Sequence, residues 1–100
     1  MSYYSVLEVT PTTDTWVADY IEPATRLVIQ HGGKYLARTA SHECVEGNAD
    51  QPALRVIIEW PSKQAAVDFM NDAEYAPYLQ ARTEGSISHH ALIEGKDDLT

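Results

Sequence analysis

Leu54-Arg55-Val56-Ile57-Ile58-Glu59-Trp60-Pro61-Ser62 is the stretch whose reading decides the fold. Side chains alternate faces along a strand, so Val56 and Ile58 share one side while Arg55, Ile57 and Glu59 share the other. Pro61 cannot continue the ladder, and Ser62 is a good helix N-cap. The stretch is therefore a strand that passes directly into a helix. Ala66, Phe69 and Met70 follow at helical spacing and form that helix's buried face. Ile57 is the informative residue, because it puts an apolar side chain on the face turned away from Val56 and Ile58.

Upstream, residues 46–52 are polar and rich in turn formers, which predicts a loop. Before it, Lys34 to about Cys44 reads as a strand in which Tyr35, Ala37 and Thr39 oppose Leu36 and Arg38. Gly32-Gly33 stands where a helix needs its C-terminal stop. The helix it ends runs from Trp16 to about His31, with Val17, Tyr20, Ile21, Ala24, Leu27 and Val28 on one face. Pro23 is expected to kink or divide it, and Thr12, Thr13 and Asp14 offer N-cap oxygens. Tyr3 to Thr10 is a strand that Pro11 stops. Downstream, Asn71-Asp72 interrupts, a helical stretch runs from about Ala73 to Thr83 with Pro77 in its first turn, and Gly85 ends it. Ile87 to Glu94 is the last strand. Residues 1–95 form a single domain, and 96–100 are a polar C-terminal tail.

The order β-α-β-β-α-β is that of the ferredoxin-like α+β unit, a four-stranded antiparallel sheet with helices on one face. The other face is bare, yet it carries Ile57 and, from the first strand, Tyr4 and Val6. Something must cover it. A second copy is the economical answer, with two sheets packed face to face about a two-fold axis as a dimeric α+β barrel.

Composition narrows the function classes. Fifteen acids against seven bases give a formal charge of −8, which repels phosphate backbones and anionic membranes. Neither a nucleic acid nor a membrane is an expected partner. Cys44 is the lone cysteine and cannot form an internal disulfide. The first residues lack a signal peptide's basic and apolar segments, so a cytoplasmic location is expected.

Few residues carry chemistry. His89 and His90 are neighbours in a strand, so they point to opposite faces and cannot share a metal from one side. Each reads either as a structural histidine or as a general base. His42 and Cys44 sit at strand spacing, but no metal-ligand pattern is present, and neither a metal nor a cofactor is expected. Arg38 and Glu59 interrupt apolar strands that should pair. They read either as a cross-strand ion pair at the dimer interface or as a substrate-orienting cation and a base. Tyr4, Tyr20 and Trp60 are candidate ligand-binding aromatics. Arg82 could reach a pocket mouth or interact with the end of its helix.

Val9-Thr10, His31-Gly32-Gly33-Lys34-Tyr35-Leu36-Ala37-Arg38, Val56 to Ser62, Asn71-Asp72-Ala73-Glu74-Tyr75, Arg82 and Leu92-Ile93-Glu94-Gly95 occur in an order that resembles family 1330 of the domains of unknown function, within the dimeric α+β barrel superfamily. The resemblance covers about Tyr4 to Gly95 and implies the fold and the dimer. It carries no established reaction, though the superfamily includes cofactor-free monooxygenases and isomerases. The His89-His90 pair departs from the family pattern. The expectation is a small homodimeric enzyme acting on a small organic molecule without a cofactor. The alternative is a non-catalytic dimeric module that binds a metabolite or a protein.

Overall fold

Val56 and Ile58 point inward and Ile57 outward, as their alternation requires. The computed structural model describes residues 1–100. Its elements are β1 (Tyr3–Pro11), α1 (Val17–Gln30), β2 (Lys34–Thr39), β3 (Leu54–Trp60), α2 (Lys63–Met70), α3 (Ala76–Glu84) and β4 (Ser86–Glu94). The strands form one antiparallel sheet in the order β2-β3-β1-β4. The fold is α+β and ferredoxin-like, with three helices on one face of the sheet.

Inward residues of β1 and β3 (Leu7, Val9, Val56, Ile58 and Trp60) meet Ala24, Leu27 and Val28 of α1 and Ala66 and Phe69 of α2. Trp60 is fully buried, and its indole N–H donates to Ser5 Oγ at 2.8 Å. That bond satisfies the one polar atom the indole brings into the core. A Cβ on Gly33 would stand 2.7 Å from the Trp60 ring and 2.8 Å from Val28, so the turn after α1 packs on this indole only as glycine.

Three local expectations are corrected. α1 runs unbroken through Pro23, whose ring is buried and so contributes to packing what it removes from the helix ladder. The helix is not capped by Thr12, Thr13 or Asp14: its N-cap is Trp16, which makes no side-chain cap bond. Trp16 is instead tethered by its indole N–H to the Gly85 carbonyl at 2.9 Å. β2 ends at Thr39, leaving His42 and Cys44 in the following loop.

A fourth difference bears on function. The pairing of β2 with β3 slips between Tyr35 and Ala37, so Leu36 is an extra residue. A bulge of one residue reverses the faces of everything beyond it. Tyr35 pairs with Ile58 and Arg38 with Val56, both on the helix side. Glu59 stays on the outer side, where it accepts from the Tyr4 hydroxyl at 3.3 Å. Arg38 and Glu59 are therefore on opposite faces and form no ion pair.

Candidate functional site

The register lays Arg38, Val56, Leu7 and His90 in one row across all four strands on the helix side. The row spans three strand spacings, about 14 Å. Above it, α1 and α3 stand clear of the sheet and leave a cavity of about 380 Å³. Fourteen of its 18 lining residues are hydrophobic, from Val9 and Leu54 on the floor to Trp16, Val17 and Ile21 on the helix side. This falls within the size range of small-molecule sites, about 300–1,000 Å³, and has their composition, an apolar wall with a few placed polar groups.

The polar groups come from both edges of the sheet. At the β2 edge, the Arg38 guanidinium lies 4.0 Å from the centroid of the Tyr35 ring and donates to Thr25 Oγ1 of α1 at 2.8 Å. Burial pushes the Tyr35 phenol's pKa up against the opposing pull of this cation. At the other edge, Arg82 extends from the last turn of α3 and is 3% exposed. It donates to Ser88 Oγ at 2.9 Å, while its Nε–H is buried without an acceptor. The ion pairs of the chain are Arg26 with Glu22 and Glu74, His31 with Asp72, and Lys96 with Glu94 and Asp98; Arg82 is in none. A cation in a last helical turn gains about 0.3–1 kcal/mol from the helix dipole. Burying an unpaired charge costs several kcal/mol, so the dipole does not account for where this guanidinium sits.

Tyr20 of α1 and Tyr75, just before α3, face Arg82, and their hydroxyls are 2.6 Å apart. Tyr75 stacks on Phe69 with ring centroids 4.2 Å apart, and Trp16 meets Tyr20 edge-on. Burial drives the pKa of Tyr20 well above the ordinary phenol range. Phenols are neutral at pH 7, so this pair gives Arg82 dipoles and no counter-charge. Burial opposes the guanidinium's charge, but the surrounding phenol oxygens hold its pKa above the ordinary arginine value.

His90 sits on the edge strand, half-exposed, with Nε2 2.8 Å from Ser5 Oγ. Partial desolvation, assisted by the Arg82 cation, lowers its pKa, so the ring is neutral at physiological pH. Ser5 already accepts from Trp60. Its hydroxyl hydrogen has no other acceptor within the protein, so the arrangement that leaves no donor unpaired has it donating to His90 Nε2, with the imidazole proton on Nδ1. His90 thus presents a neutral N–H donor instead of a free base. His90, Arg82 and Met70 also border an open groove of about 640 Å³ between α2, α3 and β4, so this end of the cavity faces solvent.

Of the residues singled out from sequence, Arg38, Tyr20, Arg82 and His90 line the cavity. Glu59, Tyr4 and His89 lie on the outer face, and Trp60 is a core residue beneath Ser5. Ser5 and Ser88 are not among those singled out, and Tyr75 stands in the sequence only as one aromatic of the family motif. Ser5 carried a readable signal, a small polar residue in step with the inward Leu7 and Val9. No cluster of three metal-ligating side chains forms, and no helix is long and apolar enough to cross a membrane.

Residues 2–96 match the family described as "Domain of unknown function (DUF1330)". The chain belongs to that family. No curated protein matches this DUF1330 chain significantly. Among solved structures it is similar to the RPA0582 protein of unknown function from Rhodopseudomonas palustris, with a TM-score of 0.79 and 16% identity over 96% of this chain and 83% of that one. SnoaB from Streptomyces nogalater, described as a cofactor-independent oxygenase, superposes with a TM-score of 0.64 and 17% identity over 98% and 96% of the two chains. A structure described as an antibiotic biosynthesis monooxygenase gives 0.55 and 14% over 97% and 100%. At these identities the likeness establishes a shared fold for the DUF1330 chain.

Proposed function

We propose that this protein is a homodimer in which each subunit holds a small organic molecule between sheet and helices and transforms it without a bound cofactor, as an oxygenase or isomerase does. The observation that carries the reading is the apolar cavity that Arg38, Arg82, Tyr20 and His90 line together. The oxygenase and monooxygenase descriptions of two proteins sharing the fold agree with it. Arg38 orients the molecule from the β2 edge, and His90 supplies a neutral hydrogen bond that can steady charge developing on an oxygen. A free, exposed Cys44 suits the reducing cytoplasm, where we place the protein.

The dimer is supported by the outer face. Ala37, Ile57, Val6 and Ala91 form one apolar row across it. Mainly polar rows flank this centre: Lys34, Glu59 and Tyr4 on one side, ending in Ile93, and Thr39, Arg55, Glu8 and His89 on the other. An apolar centre within a polar rim is the anatomy of an interface.

A second reading, binding without turnover, is favoured by one observation. His90 Nε2 and the Tyr20 and Tyr75 hydroxyls are all engaged within the protein, leaving no evident base in the cavity. Native mass spectrometry of protein gently purified from its host tests the shared part. A dimer carrying an added small mass is expected; a bare monomer contradicts the proposal. Turnover of the identified ligand, lost in Arg38→Ala, then separates enzyme from binder.

A further inference from the structure

The cavity is a positive interior in an acidic protein. The chain carries −8 overall, yet no aspartate or glutamate lines the cavity, and two of the chain's four arginines do. The two are not equivalent. Arg38 is exposed and already engaged by the Tyr35 ring and Thr25. Arg82 is buried, lacks a carboxylate partner, and keeps an Nε–H with no acceptor.

Hydrogen-bond capacity around Arg82 is skewed the same way. Guanidinium offers donors only. Tyr20 and Tyr75 share one bond and hold one hydroxyl hydrogen beyond it, and the oxygens they turn to the guanidinium carry no charge. His90, anchored through Nε2, offers an Nδ1–H. A site with surplus donors and a net positive charge suits a ligand group that only accepts and is negative. Accepting this proposed binding role for the cavity, we propose that Arg82 is its anion anchor, and that the ligand is an apolar body bearing one oxyanion, either a carboxylate or an ionised phenol or enol.

The geometry also sets the orientation. Arg38 comes from the β2 edge and is held on Thr25, whereas Arg82 is held on Ser88 of β4, the opposite edge strand, so the two arginines enter the cavity from opposite ends and Arg82 is the one that meets the oxyanion. The oxyanion lies at the β4 end, where Arg82 and His90 border the open groove, whose one carboxylate, Asp72, is taken up by His31. The apolar body extends inward over Leu7 and Val56.

The test uses the full chain, isotope-labelled, with 2-naphthoate and its uncharged isostere 2-naphthamide. Calorimetry is expected to show the acid binding at least about tenfold more tightly than the amide, the order of gain from one charge-assisted hydrogen bond. The Arg82 Nε–H resonance should move downfield with the acid and not with the amide. In Arg82→Gln the acid's affinity should fall to that of the amide, whose own affinity is unchanged. Should that variant fail to fold, the wild-type resonance still decides. A further arm, 2,4-dinitrophenolate, separates the sources: tighter binding than naphthoate, with the same Nε–H shift, assigns the phenol or enol class. Equal binding of acid and amide with an unmoved Nε–H overturns the anchor and leaves the cavity reading standing. Absence of binding by the acid, the phenolate and the amide removes both.

Discussion

His90 Nε2 lies 2.8 Å from Ser5 Oγ, the same buried oxygen that accepts the Trp60 indole N–H at 2.8 Å. One hydroxyl thus couples the core to the mouth of the cavity. Ser5→Ala is expected to leave the indole N–H buried without an acceptor and to release the imidazole. The first loss costs about 1–3 kcal/mol, read as a lower urea midpoint with an unchanged slope. The second is read by nitrogen NMR of the histidine rings. His90 should be neutral with its proton on Nδ1 in the wild type and a tautomer mixture in the variant. A wild-type ring protonated on Nε2 would reverse the donor assignment.

The Tyr20–Tyr75 pair clasps α1 to the start of α3 through a 2.6 Å bond, and it makes the fold sensitive to alkali. Burial raises the folded pKa of Tyr20, with the neighbouring phenol adding to the effect. Its stabilising contribution is therefore complete below the unfolded tyrosine value of about 10 and is lost as pH climbs above it. Tyr20→Phe should lower stability near neutrality by about 1 kcal/mol, the worth of one hydrogen bond, and should flatten the decline above pH 10. Urea titrations at pH 8 and at pH 10.5 on both proteins check this. A decline of the same steepness in the variant would assign it to other groups, with Tyr35 the first candidate.

Gly85 holds the cavity's outer wall in place. Its carbonyl accepts from Trp16 Nε1, Thr12 N and Thr13 N, and a Cβ on it would collide with the Trp16 ring. Gly85→Ala must therefore displace an indole that packs edge-on against Tyr20 and lines the cavity. Overpacking of this kind costs about 1–3 kcal/mol. Trp16 fluorescence is expected to shift to the red as the ring moves into water, while Trp60 stays buried. An alanine variant with unchanged emission and stability would mean that the wall yields freely.

Much of this arrangement can be read along the strands. Alternation in β1 and β3 places Val6 and Ile57 outward and Val56 and Ile58 inward, and it separates His89 from His90. The bulge in β2 defeats the same rule, because Leu36 carries no glycine or proline to mark an inserted residue, and one insertion carries Arg38 to the other face. The start of α1 was obscured for a different reason. Its nearby cap oxygens go unused because the Trp16 tether comes from a carbonyl 69 residues away. Arg82 falls between these cases. A cation in a last helical turn is ordinary, and only the contact with Ser88 and the facing tyrosines reveal a guanidinium turned inward.

The proposed dimer rests on the outer face. Ile57 and Val6 pair directly at the middle of the apolar row and are 38% and 37% exposed in the single chain. Because each is already partly in water, a lysine at Ile57 can extend its charge into solvent in a free subunit at little cost to folding. Across a two-fold interface the same lysine would meet its own copy near the axis, and burying like charges there costs several kcal/mol. Ile57→Lys is therefore expected to remain folded by circular dichroism while its mass by light scattering falls from twice 11.1 kDa to 11.1 kDa. Glu8→Gln, in the polar row, is the control and should leave the dimer intact. If Ile57→Lys kept the doubled mass, the subunits would have to associate through another surface, and the apolar row would need a different occupant.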